Sequence, residues 1–145
     1  MKQILLLLFV IAFATNISVA QESAVELIRT AVELNKQDDF ATSNLLCNKA
    51  IKLNPEMTGA YFLRGYNNFL LENYKEAIQD FTLTLIKDPN YFEAIYYRAK
   101  ARQAKGDYIG AIQDFNSARG LSSSKTTFFM IKGMFASVFG GTSKE

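Results

Sequence analysis

The sequence predicts an all-α fold, a solenoid of three tandem helix-turn-helix units followed by a C-terminal capping helix. Three observations predict it. The run Ala77-Ile78-Gln79-Asp80-Phe81 recurs letter for letter as Ala111-Ile112-Gln113-Asp114-Phe115, and the offset of 34 residues is the length of one helix-turn-helix repeat. The surroundings recur at the same offset, pairing Tyr74 with Tyr108, Arg64 with Arg98, Ala60 with Ala94 and Gly65 with Ala99. One step upstream the same frame sets Phe40 under Tyr74, Ala31 under Gly65, Ala50 under Thr84 and Pro55 under Pro89, so a third, more diverged copy precedes the other two. The units run near 24–57, 58–91 and 92–125.

The first twenty residues are a different kind of sequence. Lys2 supplies positive charge, Ile4 to Ala14 is an unbroken apolar run, and Ser18-Val19-Ala20 places small residues before Gln21. This pattern reads as a secretory signal peptide over residues 1–20. Its apolar run is shorter than the ~20 residues of a membrane-spanning helix; left uncleaved, it would serve as an anchor. The lack of a cysteine near the cut argues against a lipoprotein anchor.

Each unit then reads as two amphipathic helices. The A helices fall near 24–36, 58–71 and 92–105, and the B helices near 39–53, 74–87 and 108–120. Asn73 and Gly106-Asp107 supply turn chemistry between them. Asp38, Asp39 and Glu72 read as helix-start carboxylates on solvated turns. A single unit cannot hide its apolar face, so the core is built one interface at a time as neighbours stack. In the last segment, 126–145, Phe128, Ile131, Phe135 and Val138 recur at helical spacing with Met134 beside them. Ser122-Ser123-Ser124 offers N-cap oxygens and Gly140-Gly141 a stop, so a seventh helix is expected over about 125–138, capping the B helix of the third unit ahead of a flexible end. Phe129, Met130 and Phe139 lie off its stripe, a surplus that points to a second contact with a partner or another copy of the chain.

The pattern resembles the tetratricopeptide repeat, and the resemblance covers 102 of the 145 residues. In that family small residues at the eighth and twentieth positions face each other, here Ala31 with Ser43, Gly65 with Ala77, and Ala99 with Ala111. The seventeenth and twenty-fourth positions, usually aromatic, hold Phe40, Tyr74 and Tyr108, then Cys47, Phe81 and Phe115. The proline that stops helix B is present as Pro55 and Pro89, while Ser123 stands in its place in the third unit. The resemblance implies a right-handed superhelix whose A helices line a concave face where partners bind.

Carried over residue by residue, that face is Val25, Ile28, Val32, Asn35 and Lys36, then Gly59, Phe62, Tyr66, Phe69 and Leu70, then Glu93, Tyr96, Lys100, Gln103 and Ala104. The partner-binding groove is expected at Ile28, Val32, Phe62, Tyr66, Phe69, Tyr96 and Lys100. Large apolar residues gathered on one exposed face mark a contact site; alternatively, some of them pack inside the molecule under the C-terminal tail. Relatives that clamp the C-terminal carboxylates of heat-shock chaperones need Lys, Asn and Arg at the fifth and ninth positions of the three A helices. Here those positions read Ile28, Val32, Phe62, Tyr66, Tyr96 and Lys100, and only Lys100 fits.

Charge and composition narrow the function further. Without the leader the chain carries 15 basic and 14 acidic residues, which gives no broad electrostatic attraction to nucleic acid or anionic membrane. Cys47 is the sole cysteine, so no intramolecular disulfide forms, and its place in the frame is that of a small buried apolar residue. The chain has no histidine, no cysteine pair and no phosphate-binding glycine loop, so no catalytic site, cofactor or metal site is expected. Arg64 and Arg98 recur with Asp80 and Asp114, which suggests repeated ion pairs, either within a unit or from Arg98 back to Asp80. The leading expectation is a non-enzymatic scaffold that binds a peptide or helix of another protein. A second is a self-assembling structural protein that forms homo-oligomers through its apolar C-terminal helix. The leader resembles those of exported Gram-negative bacterial proteins, which implies a periplasmic or extracellular site. Membrane contact is then limited to the signal peptide before cleavage.

Overall fold

The computed structural model describes residues 21–121 as six α-helices. They are α1 (21–35), α2 (Phe40–Leu53), α3 (Thr58–Leu70), α4 (Tyr74–Lys87), α5 (Phe92–Ala104) and α6 (Tyr108–Leu121). The expected signal peptide and C-terminal capping helix lie outside the described residues. From α2 onward each helix packs on the next, and α3 also touches α5, so the A-type helices line one side of a helical solenoid.

Within each unit the turn is made the same way. Asp38, Glu72 and Gly106 have φ values of 58°, 60° and 82°, one left-handed residue every 34 positions. The next residue in each case, Asp39, Asn73 or Asp107, donates its backbone N–H to the carbonyl of Leu34, Asn68 or Arg102. This is the Schellman ending of an α-helix, in which the left-handed residue lets the chain reverse while satisfying carbonyls at the helix end. Asp38 and Glu72 are therefore turn residues and not helix-start charges. Of the three carboxylates read as helix starts, only Asp39 caps, accepting a hydrogen bond from Thr42 N–H at 3.1 Å.

Between units the chain turns on Asn54-Pro55 and Asp88-Pro89. The Asn54 and Asp88 side-chain oxygens each accept the backbone N–H two residues on, from Glu56 and Asn90, at 3.1 Å. Asx turns of this kind hold the peptide where proline has already fixed φ.

The helix crossings depend on small residues. Ala31, Ser43, Ala77 and Ala99 are wholly buried and Ala111 nearly so, as the eighth-and-twentieth pairing requires, and Ala60, Ala94 and Ala101 are wholly buried at other positions of the A helices. At Gly65 an added Cβ would stand 2.9 Å from Asp80 Cβ and 3.1 Å from the Phe81 ring, so α3 and α4 touch almost backbone to backbone. Cys47 is buried in the slot that Phe81 fills one unit later, and burial pushes its thiol up to about 11.

Both expected ion pairs form, each within its own unit. Arg64 grips Asp80 through two bonds of 2.6 and 2.9 Å, and Arg98 grips Asp114 at 2.7 and 2.9 Å. Each arginine also reaches the preceding B helix, Arg64 to Asn48 Oδ1 at 2.6 Å and Arg98 to Thr82 Oγ1 at 3.3 Å. The aspartates are buried, and a bidentate guanidinium is the partner that makes a buried carboxylate tolerable. Position eleven adds a second donor in both units: Asn68 at 3.4 Å from Asp80, and Arg102 at 2.8 Å from Asp114. A recurring, fully partnered carboxylate of this kind is scaffold.

Candidate functional site

The A-type helices bring together most of the residues that the sequence placed on the concave face. Phe62, Tyr66 and Phe69 project from α3, four and three residues apart and so close to one turn each, and meet α5 through Tyr97. The Tyr97 ring centroid lies 4.9 Å from Tyr66 with the planes nearly perpendicular, and 5.6 Å from Phe69. Tyr96 stands edge-on to Tyr97 at 5.4 Å and continues the row. Beneath them Phe81 of α4 is fully buried, 5.9 Å from Phe62 and 6.3 Å from Tyr97. Edge-to-face and offset pairs at these separations satisfy the ring quadrupoles and add ~0.5–1.5 kcal/mol each beyond burial.

Lys100 lies at the margin of this floor. Its ammonium is 5.6 Å from the Phe69 ring centroid and 5.8 Å from that of Tyr96, so two rings hold the charge in one place. Burial raises the phenols of Tyr96, Tyr91 and, furthest, Tyr97, where the neighbouring Tyr66 hydroxyl adds to the effect. These phenols stay protonated at neutral pH, so the face they line carries no phenolate charge.

The two residues from the first unit stand apart from the aromatic floor. Ile28 packs with Ala24, Ala50 and Ala60 in a separate cluster, and Val32 is exposed on α1. The large groove residues Phe62, Tyr66, Phe69 and Tyr96 are half-buried, because each leans on another ring and, through Phe81, on the core. They therefore serve as wall and surface at once. Tyr97, the hub of the cluster, occupies the sixth position of its unit, where the other two units carry Arg29 and Leu63, so the repeat frame gave no signal for it. The signal available was local: an adjacent Tyr96-Tyr97 pair covers two neighbouring directions on a helix.

Six helices joined by a left-handed turn every 34 residues, with small residues at the crossings, decide the fold. The described residues have the tetratricopeptide-repeat fold. The tetratricopeptide-repeat domain of Arabidopsis OM64 superposes with a TM-score of 0.70 at 24% identity, over 74% of this chain and 89% of that one. The TPR2B domain of yeast Sti1, in complex with pHsp70, gives 0.69 at 26% identity over 72% and 84%. The second such domain of Spaghetti (RPAP3), bound to the HSP90 peptide SRMEEVD, gives 0.68 at 21% over 70% and 94%. No protein-family sequence model and no curated protein sequence matches the chain. The tetratricopeptide-repeat assignment thus rests on the 34-residue frame and the geometry together.

Proposed function

We propose that this tetratricopeptide-repeat domain is a non-enzymatic interaction module of an exported protein, which seats a peptide or helix of a partner protein against the aromatic face of α3 and α5. The observation that carries the reading is the row Phe62, Tyr66, Phe69 and Tyr96, braced by Tyr97 and bordered by Lys100. Rings fixed by their neighbours lose little freedom on binding, and large aromatics are the usual anchors of interface energy. Structural neighbours of the same fold are bound to partners, the RPAP3 domain to an HSP90 peptide and the Sti1 domain in a complex with pHsp70.

The ligand chemistry differs from that of the acidic peptide SRMEEVD. At the six positions that a carboxylate clamp needs, this chain offers five uncharged side chains and Lys100. A ligand here is recognised by apolar or aromatic side chains lying on neutral rings, with at most one carboxylate at Lys100. The leader over residues 1–20 supports a partner in the bacterial envelope or outside the cell. Comparing partner capture from envelope extracts by wild-type protein and by a Tyr66→Ala/Tyr96→Ala variant tests the site, with far-ultraviolet circular dichroism as the control for folding. Loss of capture with unchanged helicity is expected. Undiminished capture by the folded variant would move the site to the convex face or the loops.

A further inference from the structure

Where α4, α5 and α6 meet there is a recess of about 200 Å³, lined by Leu85, Pro89, Ile95, Arg98, Asp114 and Ser117. Ile95, Arg98 and Arg102 share one face of α5, and Tyr96, Lys100 and Gln103 share a different one, so the recess lies apart from the aromatic row. Pro89 and Ser117 are exposed, which leaves its mouth open to solvent.

One repeat earlier the same positions carry Ile51, Pro55, Tyr61, Arg64, Asp80 and Leu83. There the Tyr61 ring centroid lies 5.8 Å from the Arg64 Cζ and 5.6 Å from the Lys87 Nζ, and Lys87 is held in turn by Glu56 at 2.9 Å. The earlier seam thus brings its own ring to the arginine, where a guanidinium and an ammonium both favour an aromatic neighbour. In the later seam Ile95 stands for Tyr61, Ser117 for Leu83 and Leu121 for Lys87, while the arginine–aspartate pair is kept. The volume that remains exceeds the roughly 150 Å³ of an apolar cavity that accepts benzene, so one substituted benzene ring fits.

The polar groups select the substituent. The Ser117 hydroxyl donates to the Gln113 carbonyl at 3.0 Å, so its oxygen is left to accept. Among the described residues Arg98 spends three of its five N–H groups, two on Asp114 and one on Thr82. A phenol answers both, since its O–H donates and its oxygen accepts, whereas an unsubstituted phenyl ring answers neither. We propose that this recess is a socket for one tyrosine side chain of a partner protein, whose ring lies against Arg98 as the Tyr61 ring lies against Arg64. The socket is independent of the concave row, and either can fail without the other.

Titration of the isotope-labelled mature chain with p-cresol and with N-acetyl-tyrosinamide, followed by two-dimensional NMR, tests this. Both probes should give saturable shifts centred on the amides of Ile95, Arg98 and Ser117. Ile95→Tyr and Ser117→Leu, which return the side chains of the preceding repeat, should each weaken both probes at least ~10-fold with helicity unchanged by circular dichroism. Saturation by p-cresol alone would mean that the recess admits a free phenol but no side chain, and would overturn the proposal. So would shifts centred on Tyr66 and Tyr96, the absence of saturable shifts, or undiminished affinity in either folded variant.

Discussion

Gly65→Ala adds one methyl group at the tightest crossing in the domain. The added Cβ would meet Asp80 Cβ at 2.9 Å and two Phe81 ring carbons at 3.1 Å, against an ordinary carbon contact of about 3.5–4.0 Å. None of these atoms is the free end of a flexible side chain. Asp80 is held by two bonds from Arg64, and Phe81 is wholly buried under Phe62 and Tyr97. The helices must part by roughly half an ångström, which costs ~1–3 kcal/mol. Alanine returns up to ~1 kcal/mol of helix propensity. The net expectation is a loss of about 1–2 kcal/mol, or roughly 5–10 °C in melting temperature for a domain of this size. Gly59→Ala is the control on the same helix: a Cβ there meets nothing within 4 Å, so only the propensity gain remains, an expected rise of up to ~1 kcal/mol. Urea denaturation followed by circular dichroism measures both, with the m-value checking that the unfolded states match. If Gly65→Ala is as stable as the wild type, or if the two substitutions move stability in the same direction, the close approach of α3 and α4 is wrong.

Other substitutions follow from the same geometry. Glu72→Gly should stabilise by about 1 kcal/mol, because a left-handed conformation is costly for any residue with a Cβ and Gly106 already fills the matching site; a lower midpoint in urea would contradict it. Asp114→Asn should cost about 2–4 kcal/mol, since three bonds from Arg98 and Arg102 converge on one buried carboxylate, and more than Asp80→Asn, where a single arginine is involved; the reverse order would place the energy elsewhere. Stability should also fall at alkaline pH. Burial raises the Cys47 thiol from 9.0 to about 11, and raises the Tyr91, Tyr96 and Tyr97 phenols, so the folded state keeps protons that the unfolded chain releases. That contribution is whole below pH ~9 and is lost as pH climbs through the folded values, which a melting series from pH 7 to 11 reads directly; a flat series would mean that these groups are solvated.

The fold was legible because the repeat is copied in the sequence itself. A residue that recurs every 34 positions meets the same neighbours each time, so one frame located the buried alanines, the arginine–aspartate pairs and the buried Cys47. The intra-unit turn was only partly legible. Backbone at positive φ is written plainly only when glycine occupies it, and of Asp38, Glu72 and Gly106 only the last carries that mark. The two carboxylates look like helix-start charges in isolation, and only the alignment of all three shows a single left-handed site. Buried polar links were hidden for another reason. Asn67 donates to Ser43 and Asn44 and accepts from Asn35, a contact set unique to the seam between the first two units that no recurrence announces.

The site is harder to read than the fold because its residues do two jobs. In the seam between the second and third units, Phe62, Tyr66 and Phe69 join α3 to α5 through Tyr97, and the same rings form the floor on which a ligand would lie. In the seam between the first and second units, amides and a hydroxyl take that place, so the aromatic floor ends where the asparagines begin. Periodicity identifies which positions face the concave side but not how far a large side chain there folds back onto its neighbours. Ring size decides that: a tyrosine or phenylalanine at the fifth, ninth or twelfth position is long enough to reach the next A helix, so it bridges the gap instead of standing free. The consequence is that binding and stability are coupled through Tyr97. A substitution at Phe69, in contact with Tyr74, Tyr97 and Lys100, loosens the seam and the floor together, and one at Tyr96, packed on Phe92, Tyr97 and Phe115, does the same within the third unit, so a loss of binding at either ring has to be read beside a measured stability.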